Sequence, residues 1–86
     1  MAEFLAYTSH LSSQATAFLI GLPPRRQRQV LDLADQIALH PFQISDYQTS
    51  DAVGHAVDNL LLDDYLFTYW VDHAAKEVRI TEITRV

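Results

Sequence analysis

Cysteine is absent from the 86 residues, so the chain can build no disulfide framework, no thiolate nucleophile and no thiolate-based zinc site. Cations are scarce too: six lysines and arginines stand against eleven acids, for a net charge of −5 at neutral pH. Tight general binding to RNA or DNA rests on clustered cations that neutralise phosphates, and this balance argues against it. Glycine occurs twice and proline three times, which leaves no low-complexity linker. So short a chain can bury one core, and residues 1–86 read as a single domain. No apolar run is long enough to span a bilayer, and "MAEFLAYTSHLSS" lacks the basic stretch followed by an apolar run of a secretory signal. These absences fit a cytoplasmic protein in a reducing setting, with no membrane partner. His10, His40 and His55 share no ligand-like spacing and no carboxylate cluster lies near them, so neither a metal nor a cofactor is expected.

What is present is an organised last third, "LLLDDYLFTYWVDHAAKEVRITEITRV", Leu60 to Val86. It alternates apolar and polar residues and is rich in aromatic and β-branched side chains, the pattern of adjacent antiparallel strands. Alternation places Tyr65, Phe67, Tyr69 and Val71 on one face of a strand and Leu66, Thr68, Trp70 and Asp72 on the other. Strands are expected over about Val57 to Leu62, Tyr65 to Asp72, and Glu77 to Val86, with turns at Asp63–Asp64 and at "HAAK". In the last of them the alternation slips, because Val78 and Ile80 share a face that Ile83 leaves. A bulge near Thr81 or an open end of the sheet would reconcile it.

The preceding residues must cover this sheet. "AEFLAYT", Ala2 to Thr8, reads as a first strand. Ser9 or Ser12 can cap a helix whose face carries Leu11, Ala15, Phe18, Leu19 and Leu22, with Gly21 suited to its end. Pro23 and Pro24 separate it from a second helix, about Pro24 to His40, with Val30, Leu33, Ala34, Ile37 and Ala38 on its buried stripe. Residues 42–57 show no sustained period and read as an exposed connection, with room for a short extended piece at its end. The charge is uneven: between Gln43 and Ala75 there are six acids and no lysine or arginine.

This order, together with "RRQRQVLDLADQIALHP", "DYLFTYWVD" and "KEVRITEITRV", resembles the RelE/ParE toxin superfamily. The resemblance implies an α+β fold, an antiparallel sheet of about four strands with an N-terminal helical hairpin on one face, in the order β-α-α-β-β-β. It implies a toxin of a type II toxin–antitoxin pair: a ribosome-dependent mRNA endoribonuclease in the RelE branch, a gyrase inhibitor in the ParE branch, and in both an antitoxin partner. The chain departs from the pattern at Leu66, where an arginine commonly follows the aromatic, and at Val86, where a basic tail commonly continues. Only Arg85 matches that basic tail, with Arg79 a neighbouring candidate.

The candidate residues each carry two readings. Arg79 and Arg85, six apart on a regular strand, would face the same way and clamp a phosphate, or be solvated partners of Glu77 and Glu82. His73 would serve as acid or base, or be a solvated turn residue. These three form the candidate catalytic set. Arg25, Arg26 and Arg28, at a helix start that disfavours cations, would contact RNA or an acidic partner, or be a solvated first turn. Leu66 and Trp70, if helices cover only the other face, form an exposed apolar patch that marks a partner site. The alternative to the endoribonuclease is therefore a catalytically silent interaction module that binds an antitoxin-like partner, or itself as a homodimer, through Leu66 and Trp70.

Overall fold

In the computed structural model, which describes residues 6–86, strand β4 (Tyr65–Asp72) is the centre of a five-stranded sheet. The other elements are β1 (Thr8–Leu11), α1 (Ser13–Ile20), α2 (Pro24–Leu39), β2 (Tyr47–Ser50), β3 (Ala56–Leu62) and β5 (Glu77–Arg85). Strand order is β1-β5-β4-β3-β2, with β1 parallel to β5 and every other pair antiparallel. The α+β class is as expected, while the sheet is mixed and has five strands rather than four.

Strand β2 accounts for the extra strand, and β1 differs from its expected bounds. Part of the expected first strand, residues 2–5, lies outside the described residues, and the observed β1 begins only at Thr8. It is a polar edge strand, so hydrophobic alternation could not locate it, and it takes Leu11 away from the helix. Strand β2 lies in the supposed connection; all four of its residues are exposed, and with no buried face there is no period-two signal to read.

The helices match their patterns more closely. Helix α2 buries Val30, Leu33, Ala34, Ile37 and Ala38 as expected, starts at Pro24 and stops before Pro41. Helix α1 contributes Ala15, with Phe18, Leu19 and Leu22 packed around it. Gly21 has φ −78°, so the helix stops there without a left-handed cap. Both helices cover one face of the sheet, against Tyr65, Phe67, Tyr69, Val78, Ile80 and Ile83. Burying an aromatic or large aliphatic side chain is worth roughly 1.5–3 kcal/mol, so this layer dominates stability. The Arg26 guanidinium donates a 3.0 Å hydrogen bond to the Tyr65 hydroxyl and ties the start of α2 to the start of β4.

The expected bulge is present. Tyr69 pairs with Ile80 and Thr68 with Glu82, leaving Thr81 as the extra residue. Ile83 thereby returns to the covered face beside Val78 and Ile80, and Glu82 is exposed. Ser12 anchors the irregularity. Its hydroxyl accepts from the Ala15 N–H at 3.0 Å, capping α1, and donates to the Thr81 carbonyl at 2.7 Å. Its own N–H donates to the Ile80 carbonyl at 2.9 Å. Ser12→Ala removes both the cap and the bulge contact and is expected to cost about 1–2 kcal/mol in urea unfolding, against a few tenths for the neighbouring Ser13→Ala. Equal losses would show that the cap and bulge are not coupled through this side chain.

Candidate functional site: the uncovered face of the sheet

The register that buries Tyr65, Phe67 and Tyr69 turns Leu66, Thr68 and Trp70 to the opposite face, where no helix lies among the described residues. Trp70 is 39% exposed, and Leu61, opposite Leu66 on β3, is 48% exposed. A polar row crosses the strands beside them. The Asn59 amide donates to the Thr49 hydroxyl at 3.0 Å, and its carbonyl oxygen accepts from the Thr68 hydroxyl at 2.8 Å. Asn59 is buried, and these bonds meet its polar needs while fixing β2, β3 and β4 to one another.

On the β5 side, Arg79 lies opposite Trp70, with its guanidinium carbon 5.7 Å from the ring centroid, a cation–π distance. Glu77 is paired with Arg79 and also with His10, whose Nε2 is 3.1 Å from the carboxylate. Thr8 Oγ1 lies 3.2 Å from the same ring nitrogen. Three clefts touch the indole, two of them the smaller ones on its flanks. One, of about 280 Å³, is bounded by His10, Ser12, Trp70, Arg79 and Thr81; the other, of about 320 Å³, by Asp51, His55, Ala56 and Trp70. The face thus offers an aromatic platform, a cation already matched by a carboxylate, and a histidine–carboxylate pair. It can stack a planar group or bury an apolar side chain, with a polar rim to orient either.

The structure brings Leu66, Trp70 and Arg79 to this face and separates the other candidates from it. The bulge corrects the expectation that Arg79 and Arg85 face the same way: Arg85 pairs with Tyr65, whose side chain is on the covered side. His73 lies just past the far end of β4 from Arg85, about 25 Å away at about 3.3 Å per residue. It is not a free turn residue either. Its Nδ1 is 2.8 Å from the Tyr7 hydroxyl and its ring stacks on Phe42 at 5.0 Å, joining the segment before β1 to the loop after α2. Arg25, Arg26 and Arg28 begin α2, on the opposite layer, and Arg26 is occupied by Tyr65.

The sequence offers Glu77 as a partner of Arg79 but does not announce the pairing of His10 with Glu77. They are far apart along the chain and meet only through the parallel β1–β5 pairing, which no local pattern announces. Asp51 and His55 are four apart, a spacing that pairs side chains on a helix. A tight turn with Gly54 at φ +89° brings the ring to 3.6 Å from the carboxylate without a helix. Backbone N–H groups of His55 and Val53 donate to the same carboxylate and hold its pKa below the usual range, so it stays ionised. Burial, and then the nearby Asp58 and Asp46, push the Tyr69 phenol up to about 12, which keeps it a neutral part of the covered face. No cluster of metal-ligating side chains occurs among the described residues, and no helix there is long and apolar enough to cross a membrane.

Comparison with solved structures gives this arrangement a name. A chain of the toxin–antitoxin complex RelBE2 from Mycobacterium tuberculosis superposes with a TM-score of 0.77 at 20% identity, over 94% of this chain and 99% of that one. This chain has the RelE fold. The archaeal RelE–RelB complex from Pyrococcus horikoshii contains a similar chain (TM-score 0.69, 19% identity, 93% of this chain and 94% of that one). So does the RelBE complex of E. coli (TM-score 0.59, 14% identity, 94% and 98%). No family model matches the sequence, and no curated protein matches it significantly. The resemblance read from the sequence holds for the RelE fold as a whole.

If the uncovered face is free, Trp70→Asp leaves the RelE fold intact and shifts urea stability by less than about 1 kcal/mol, whereas Phe67→Ala on the other side of β4 costs about 3–5 kcal/mol. Comparable losses for the two would place Trp70 in the core.

Proposed function

We propose that this chain is the toxin of a type II toxin–antitoxin pair. The observation that carries the reading is the match of nearly its whole length to nearly the whole length of a chain from a RelBE toxin–antitoxin complex. The antitoxin's place is the uncovered face, with Leu66 and Trp70 as apolar anchors and the polar row through Asn59 as orienting contacts. Growth arrest follows from cleavage of mRNA on the ribosome. Trp70 supplies a stacking surface for a base, Arg79 a cation for phosphate, and His10 an acid–base group oriented by Glu77.

A second reading is favoured by one specific arrangement: Arg79 is paired with Glu77, and Arg85 and His73 sit elsewhere, so charge for a scissile phosphate is thin. On that reading the chain is a silent interaction module that binds an antitoxin-like partner or a second copy, and cuts nothing.

Inducible expression in bacteria tests both. The toxin reading expects growth arrest with cleaved mRNA, relieved by co-expression of the product of an adjoining reading frame, and an arrest weakened at least tenfold by His10→Ala or Arg79→Ala (~1.4 kcal/mol or more of lost stabilisation). Arrest with intact mRNA points away from cleavage and towards a gyrase-type target. No arrest, with the two products still co-purifying, leaves the silent module, and no arrest with no complex removes the toxin–antitoxin assignment.

A further inference from the structure

The outer edge of β2 is a second surface, bordering the Trp70 face but made of backbone groups rather than an aromatic platform. Strand β2 ends the sheet, its four residues are all exposed, and among the described residues nothing pairs with its outer side. The direction of its backbone groups follows from the ladder. The Asp51 N–H donates to the His55 carbonyl at 2.9 Å, and Thr49 is in register with Val57. Antiparallel alternation then turns Thr49 and Tyr47 inward to β3 and leaves the N–H and C=O groups of Gln48 and Ser50 directed outward. Such an edge is a template for another strand.

Charge says what kind of strand. Asp46 and Asp51 bracket β2, Asp58 lies beside it on β3, and no lysine or arginine occurs anywhere between Gln43 and Ala75. A second copy would bring only further acids, its own Asp46, Asp51 and Asp58, to an edge whose stretch holds no cation, and like charges brought together destabilise a ladder. A second copy is therefore disfavoured. The two sides of the edge also differ. Gln48 and Asp58 share the register of Tyr69, so they lie on the helix side, and with Phe42 and Ile44 they line part of a cavity of about 650 Å³ that Tyr47 and Trp70 bound from the open side. One oxygen of Asp58 is held there by Ser45 and Gln48, each at 2.9 Å. On the open side Tyr47, 49% exposed, offers an aromatic surface.

We infer that the β2 edge accepts an extended, basic strand of a partner polypeptide, adding a sixth strand to the sheet. Its lysines or arginines project to the helix side, where carboxylate and aromatic walls receive them, and its apolar residues lie against Tyr47 on the other. The surface involved is the sheet's edge, so this inference stands whether or not the chain is a toxin.

The test uses a short capped peptide alternating lysine and valine, its glutamate–valine counterpart, and a lysine–valine version N-methylated on alternate amides, which keeps the charge and removes the strand hydrogen bonds. Binding is followed at low salt by fluorescence anisotropy, and the site by amide exchange. The lysine–valine peptide is expected to bind at least about tenfold more tightly than either control and to slow exchange at Gln48 and Ser50, and Ser50→Pro to weaken it by a similar factor. Ser50 donates outward, so that proline leaves the β3 pairing in place; Asp58→Asn is a second variant, expected to weaken binding without touching the backbone. Equal binding of the N-methylated peptide would reduce the effect to bulk charge and overturn the inference. So would protection at Trp70 instead of β2, or protection of Gln48 and Ser50 by raising the protein concentration alone, which would make the occupant a second copy.

Discussion

Three aromatic side chains on one side of β4, Tyr65, Phe67 and Tyr69, must be kept dry, and no other group of residues in the chain demands so much cover. Among the described residues two helices supply it, and together they span one face only. The far side of the same strand is left to solvent, with Trp70 at its centre. Binding potential on that face is thus a consequence of how little helix there is, given how much aromatic surface one strand commits to the core.

The bulge at Thr81 makes the arrangement consistent. A regular β5 could not place Val78, Ile80 and Ile83 under the helices together, and by absorbing one residue the strand keeps all three there and leaves Glu82 in solvent. The same irregularity decides which arginine reaches the open face. Arg79, before the bulge, lies against Trp70; Arg85, after it, goes with Tyr65 to the other side. Ser12 holds the bulge from the start of α1, so the cap of a helix, the course of a strand and the charge of a surface depend on one hydroxyl.

What could be read from the sequence was whatever carried a period. Helix α2, strands β3 and β4, the turn at Asp63–Asp64 and the slip in β5 all showed as spacing of apolar residues, and each stands where that spacing put it. Strands β1 and β2 have no fully buried residue, and nothing in their own residues distinguishes them from loop; the rest of the sheet recruits them as edges. Leu66 and Trp70 were legible as one face for the same reason β4 was. His10 with Glu77 was not, because a parallel pairing between the first and last strands has no signature within either.

Trp70 is the chain's only tryptophan, which makes the central claim directly measurable. Acrylamide quenching of its fluorescence in the native protein is expected to reach a substantial fraction of that seen after unfolding in urea, with an emission maximum near that of partly hydrated indole. A blue-shifted emission that acrylamide barely touches, in a protein that sediments as a monomer, would mean that the second face of the sheet is covered within the chain itself and would contradict the account.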